Sequence, residues 1–123
     1  LPQRHTPRPG GPIEDVLEII DGLGDHMGVC VDAGHSNANG RGADDEVRIA
    51  GDKLLAVHIQ DNDGLGQDQH WLPGTGTTDW QRLIAALDEC APTCIRTFEV
   101  GANGENPDDV LVQLTSLRDD WLT

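Results

Sequence analysis

Three short apolar runs in this 123-residue chain each end on side chains able to hold a cation or move a proton. They are Val29-Cys30-Val31-Asp32-Ala33-Gly34-His35, Ala56-Val57-His58-Ile59-Gln60-Asp61 and Thr97-Phe98-Glu99-Val100. Carboxylate and imidazole groups together make an oxygen and nitrogen donor set suited to a divalent metal. An apolar run that ends in a polar residue is also how a buried parallel strand delivers a ligand to the carboxyl-terminal rim of an α/β sheet. The runs therefore point to a chemistry and to the kind of fold that would position it.

Each cluster has a plainer alternative. Asp32 and His35 stand three apart, just past a strand end, where both could bind a cation or His35 could donate to a substrate oxygen. The plain alternative is a helix-capping Asp and an ordinary loop His. His58 lies within an apolar strand, so it is either a core histidine bonded to a backbone group or a ligand. Glu99, between Phe98 and Val100, is costly to bury unless coordinated or paired, for example with Arg96. Asp61, Asp63, Asp68 and His70 crowd the segment after the second run. There Asp68 and His70 could form a second metal clamp, and Asp61 could accept a hydrogen bond from the free nitrogen of a ligating histidine. An acidic, solvated loop is the alternative. Gly74-Thr75-Gly76 could leave N–H groups for an anion.

The elements that would carry these residues alternate. Ile13, Val16, Leu17, Ile20 and Leu23 follow helical spacing after Pro12 and stop at Gly22 and Gly24. Residues 27–31 read as a strand buried on both faces, 32–35 as its exit, and 36–42 as a loop. Residues 43–50 form a short helix with Val47 and Ile49 or Ala50 inward, and 54–59 the second strand. The long polar segment 60–77 reads as functional. Thr78 and Gln81 make a capping box for a helix whose stripe is Trp80, Leu83, Ile84 and Leu87. After Ala91-Pro92 comes a third strand over 94–100. Asn106 and Pro107 then open a last helix with Val110, Leu111, Leu114, Leu117 and Trp121 on one face. Helices alternating with strands are the signature of right-handed βα units around a parallel sheet.

The length fits one modest domain. The net charge of -14, from 22 acidic against 8 basic residues, works against nucleic acid and anionic membrane surfaces and favours a small-molecule ligand. No run approaches the ~18 apolar residues of a membrane span and no signal segment opens the chain, so a soluble, cytoplasmic protein is expected. Cys30, Cys90 and Cys94 fit free thiols in a reducing compartment, with a Cys90–Cys94 redox pair as the alternative. Residues 1–11, Pro/Gly-rich and without an initiator Met, look like the loop after a strand that is not present.

Together the clusters resemble the xylose isomerase-like TIM-barrel superfamily, especially its sugar phosphate isomerase/epimerase group. The matching segments are residues 28–35, then Val57-His58-Ile59-Gln60-Asp61-Asn62-Asp63-Gly64, then His70 through Gly74-Thr75-Gly76-Thr77-Thr78-Asp79-Trp80, then Phe98-Glu99-Val100. The resemblance implies an α/β fold, a partial (β/α)8 barrel of which residues 12–123 supply the last three parallel strands with four flanking helices, residues 1–11 being a loop remnant. It implies Asp32, His58 and Glu99 as ligands of a divalent cation (Mn2+, Mg2+, Co2+ or Zn2+). His35 would contact a substrate carbonyl or hydroxyl, and Glu99 would also act as acid and base. The implied activity is proton transfer between adjacent carbons of a sugar or sugar phosphate through an enediolate. The family's first metal glutamate comes from a strand earlier than Asp32, so the chain is expected to be incomplete alone, self-associating or lacking an N-terminal half. The alternatives are a non-catalytic barrel remnant or partner-binding subunit, and an endonuclease IV-like DNA repair enzyme in which Asp68 and His70 would be further zinc ligands.

Overall fold

A computed structural model describes residues 12–122, so the expected loop remnant over 1–11 lies outside the described residues. The elements run α1 (Ile13–Ile20), β1 (Val29–Asp32), α2 (Ala33–Ala38), α3 (Ala43–Ala50), β2 (Leu54–Ile59), α4 (Trp80–Cys90), β3 (Ile95–Phe98) and α5 (Pro107–Leu122). The strands form one parallel sheet in the order β1-β2-β3. Parallel neighbours need a crossover, and helices supply it both times. Among the described residues no helix is long and apolar enough to cross a membrane.

The core lies on one side of this sheet. Val29, Val31, Val57 and Ile59 cluster with Val47 and Ala50 of α3 and with Leu83, Ala86 and Leu87 of α4. Ala50, not Ile49, is the inward residue of α3. At the far end Trp121 of α5 stacks on both Trp80 and Phe98, with ring centroids 5.7 Å apart in each case.

Several expectations change. Among the described residues the strands are covered on one face only: Cys30 is exposed, as are Ile95 and Thr97 of β3. An apolar run does not tell a doubly covered strand from one whose second face is open. Residues 36–42 are not all loop, because the Asp32 side chain accepts from the His35 backbone N–H and nucleates the short α2. The cap of α4 is Asp79, which accepts from the Arg82 N–H at 3.1 Å, one residue beyond the expected Thr78. Strand β3 ends at Phe98, and Glu99 follows it, its N–H bonded to the Ile59 carbonyl. Leu23 and Leu111, expected on buried stripes, are 56 % and 60 % exposed. Asn106 caps α5 as expected, accepting from the Asp108 N–H.

Candidate metal centre

The register decides which side chains meet. Asp32 of β1 lies beside His58 of β2, which lies beside Thr97 of β3. Side chains alternate across a strand, so Glu99, two residues beyond Thr97, returns to the same open face as His58. His58 Nδ1 stands 3.3 Å from Glu99 Oε2 and 3.6 Å from Asp32 Oδ2. One ligand atom from each of the three residues falls within 4.8 Å of the others. With metal–ligand distances of about 2.0–2.2 Å, donors sharing one ion lie roughly 3–3.5 Å apart; the two separations from His58 are close to that, and the donor chemistry of the set fits a divalent cation. Burial does not force these residues together, because the His58 and Glu99 side chains are 41 % and 46 % exposed. Neither side chain is buried among the described residues: both look out from the uncovered face.

His35 sits beside this group. Its Nδ1 is 3.7 Å from Asp32 Oδ2 and its Nε2 is 3.2 Å from Asp68 Oδ2. The other Asp68 oxygen lies 3.1 Å from His70 Nε2 and accepts from Gln60 Nε2 at 2.7 Å. Asp68 therefore bridges two imidazoles. Partial burial pushes its carboxyl pKa up, but the hydrogen bonds from Gln60, His35 and His70 together hold it below the usual range. His70 shows the converse balance: burial pushes its pKa down, and contact with the Glu99 carbonyl and Asp68 raises it on balance. The His70 backbone adopts a positive φ of 54°, uncommon for a residue with a side chain. Bonds on every side hold it there: its N–H donates to Gln60 Oε1, its carbonyl accepts from Gly101, and Nδ1 meets the Glu99 carbonyl at 2.7 Å.

Asp61 does something other than assist a ligating histidine. Fully buried, its carboxylate accepts from the N–H groups of Gly74, Gly76 and Thr78, from its neighbour Asn62, and from the Trp80 indole. Burial raises its pKa, and these donors, led by the Trp80 indole, lower it on balance below the ordinary aspartate value. The Gly74-Thr75-Gly76 turn does offer N–H groups to an anion, but the anion is this internal carboxylate. A side chain at Gly76 would collide with Asn62 and Asp61, so the turn closes only on glycine.

Two residues the sequence reading did not single out belong to this site. Gln60 is fully buried and touches Asp32, Asp68 and His70. Asn62, equally buried, donates to the Gly34 carbonyl and accepts from Asn37 and Gly64, tying the segment after β2 to α2. The available signal is a run of four polar residues, Gln60 to Asp63, directly after an apolar strand. Cys30, Cys90 and Cys94 are all free thiols.

A family model described as xylose isomerase-like TIM barrel matches residues 2–119. Among curated proteins, the uncharacterized protein y4fM of Sinorhizobium fredii is 40 % identical over 63 residues, covering 51 % of this chain and 20 % of that protein. D-psicose 3-epimerase of Enterocloster bolteae is 29 % identical over 75 residues, covering 60 % of this chain and 23 % of that protein. Among solved structures, a D-tagatose 3-epimerase-like protein superposes with a TM-score of 0.74 at 24 % identity, over 92 % of this chain and 41 % of that one. An IolI protein with a zinc atom gives 0.69 at 23 % identity, over 88 % and 42 %. This chain thus spans about a fifth of the length of these curated relatives and about two fifths of these solved ones.

Proposed function

The chain belongs to the xylose isomerase-like TIM barrel family, and from that premise we propose that it carries the carboxyl-terminal share of the metal centre of a sugar or sugar-phosphate isomerase or epimerase. The observation that carries the reading is the convergence of Asp32, His58 and Glu99 from three different strand ends. The epimerases among its relatives and the zinc in the IolI structure support the reaction class and a divalent cation.

In this reading Asp32, His58 and Glu99 hold the cation. A cation held there would supply Lewis-acid polarisation of a substrate carbonyl, and the proton on the hydroxyl-bearing carbon next to it would then become removable. Glu99, half exposed beside His58, takes that proton on its carboxylate; returning it to the adjacent carbon gives isomerisation, whereas epimerisation needs a second base to deliver a proton to the opposite face of the same carbon. His35, 58 % exposed, donates to the substrate oxygen in place of its present contact with Asp68. His70 and Asp68 line the same rim. The remaining donor and pocket wall are supplied by βα units beyond the three strands described, on the same polypeptide or on a partner. The open sheet face, where Ile95 is 67 % exposed, is the surface they would cover. Free thiols fit a reducing, cytoplasmic setting. A net charge of -14 works against an endonuclease-like grip on a phosphate backbone.

Equilibrium dialysis with Mn2+ and Zn2+ tests the centre. The native chain should take up metal, and Asp32→Ala and His58→Ala should weaken uptake strongly; equal binding by all three sinks the proposal. Proton exchange from ketoses in deuterated water, with metal bound, tests the chemistry. Metal uptake without exchange would favour a partial site or a partner-binding subunit.

A further inference from the structure

Asp32 presents its two oxygens to different surroundings. Oδ1 accepts from the His35 backbone N–H at 3.0 Å and faces Gln60 Nε2 at 3.4 Å, whereas Oδ2 faces His58 Nδ1 at 3.6 Å and His35 Nδ1 at 3.7 Å. The geometry points to Gln60 as a positioning residue that keeps Asp32 Oδ1 committed to protein donors, so that Oδ2 alone is offered to a cation.

The inference rests on the metal reading above and concerns how that site is set. Gln60 is fully buried, and all of its amide is engaged. Nε2 donates to Asp68 Oδ1 at 2.7 Å and reaches Asp32 Oδ1, while Oε1 accepts from the His70 N–H at 3.2 Å. The amide can neither rotate nor withdraw without orphaning a buried group. Its place also depends on Gly34, since a Cβ there would collide with the Gln60 amide. The glycine thus leaves room for the side chain that orients the aspartate. A carboxylate with one oxygen tied by two donors is disfavoured from turning to coordinate through both. The same amide joins Asp32 to the Asp68–His70 segment, so the metal triad and the outer rim share one anchor.

The test uses Co2+ as the probe with the chain carrying 13C-labelled aspartate, so that the carboxylate bands of Asp32 shift with the label and those of Glu99 do not. In the infrared difference between loaded and metal-free protein, the native chain should show the wide antisymmetric-to-symmetric carboxylate splitting of one-oxygen binding. In Gln60→Met, which keeps the length and removes the amide, the splitting should narrow, the Co2+ visible band should weaken as coordination number rises, and affinity should change by about 10–100-fold. Gly34→Ala, which displaces the amide without removing it, should move the spectra the same way. Unchanged spectra in the folded variants would overturn the proposal while leaving the metal site standing. So would a narrow splitting in the native chain, a measurement that needs no variant. Failure of the native chain to take up Co2+ would instead overturn the metal reading, and this inference with it.

Discussion

On one face of the sheet Val29, Val31, Val57 and Ile59 are at most 3 % exposed, packed with α3 and α4, while on the other Cys30 and Thr97 stand open and Asp32 and His58 partly so. Both faces are built from the same strands, since successive side chains point to opposite sides. The covered face holds the fold together by removing apolar area from water. The open face contributes little to that and carries polar side chains whose partners are one another. A strand of four to six residues can therefore serve a core and a site at once, and the two should respond separately to substitution.

The sharpest separation should come from Asp61, which belongs to the scaffold although it looks like a site residue. Asp61→Ala strands the N–H groups of Gly74, Gly76 and Thr78 and the Trp80 indole. These donors are only partly buried, so at about 1–1.5 kcal/mol for each, the low end of the range, the expected loss is on the order of 5 kcal/mol, read by urea denaturation. Next, Leu87→Ala, at a position with no exposed surface on the covered side, should cost about 2–5 kcal/mol. Its folded fraction should bind metal as the native chain does, and weakened binding there would show that the faces are coupled. His58→Ala should reverse the pattern, lowering Mn2+ affinity by at least about 100-fold while shifting unfolding by no more than about 0.5 kcal/mol. A large loss of stability in that variant would break the division between faces.

The smallest effect concerns the rim and depends on pH. His70 has a raised pKa, so its contribution to stability is complete below the ordinary histidine value of about 6.5 and disappears as pH rises through the folded value. Asp68 has a lowered pKa, so its contribution is complete above about 3.9 and disappears as pH falls through the folded value. In metal-free buffer the melting-temperature difference between the native chain and His70→Gln should be largest between about pH 4 and 6.5 and shrink on both sides. A difference that grows steadily with pH would show that His70 acts there without its charge.

The strands were legible because Val29-Cys30-Val31 and the Leu54–Ile59 run are short, apolar and β-branched, and each leads to a polar exit. The helices were legible from stripes such as Leu83 and Leu87 and from Asn106 before Pro107. Cap placement was less so: Thr78 and Asp79 are both good capping types, and backbone geometry selected the second. Leu111 shares the stripe of α5 but stands exposed, because helical spacing says which residues share a stripe without saying how much of the stripe is covered. The role of Gln60 is not legible in the sequence, because a single glutamine after a strand carries no sign of what surrounds it.

What the amino-acid order determined by itself was local: where apolar runs start and stop, their period, and which chemistry-bearing side chains end them. These follow from backbone sterics and from apolar burial, both of which act over a few residues. Only the tertiary structure decided that β2 lies between β1 and β3 in a register that sets His58 against Asp32 and Thr97. It also decided that, among the described residues, one face is left uncovered, and that Asp61 turns inward to the Trp80 helix while Asp68 faces two imidazoles. The physical reason is that carboxylates of identical chemistry are sorted by the donors around them, and those donors come from residues distant in the chain.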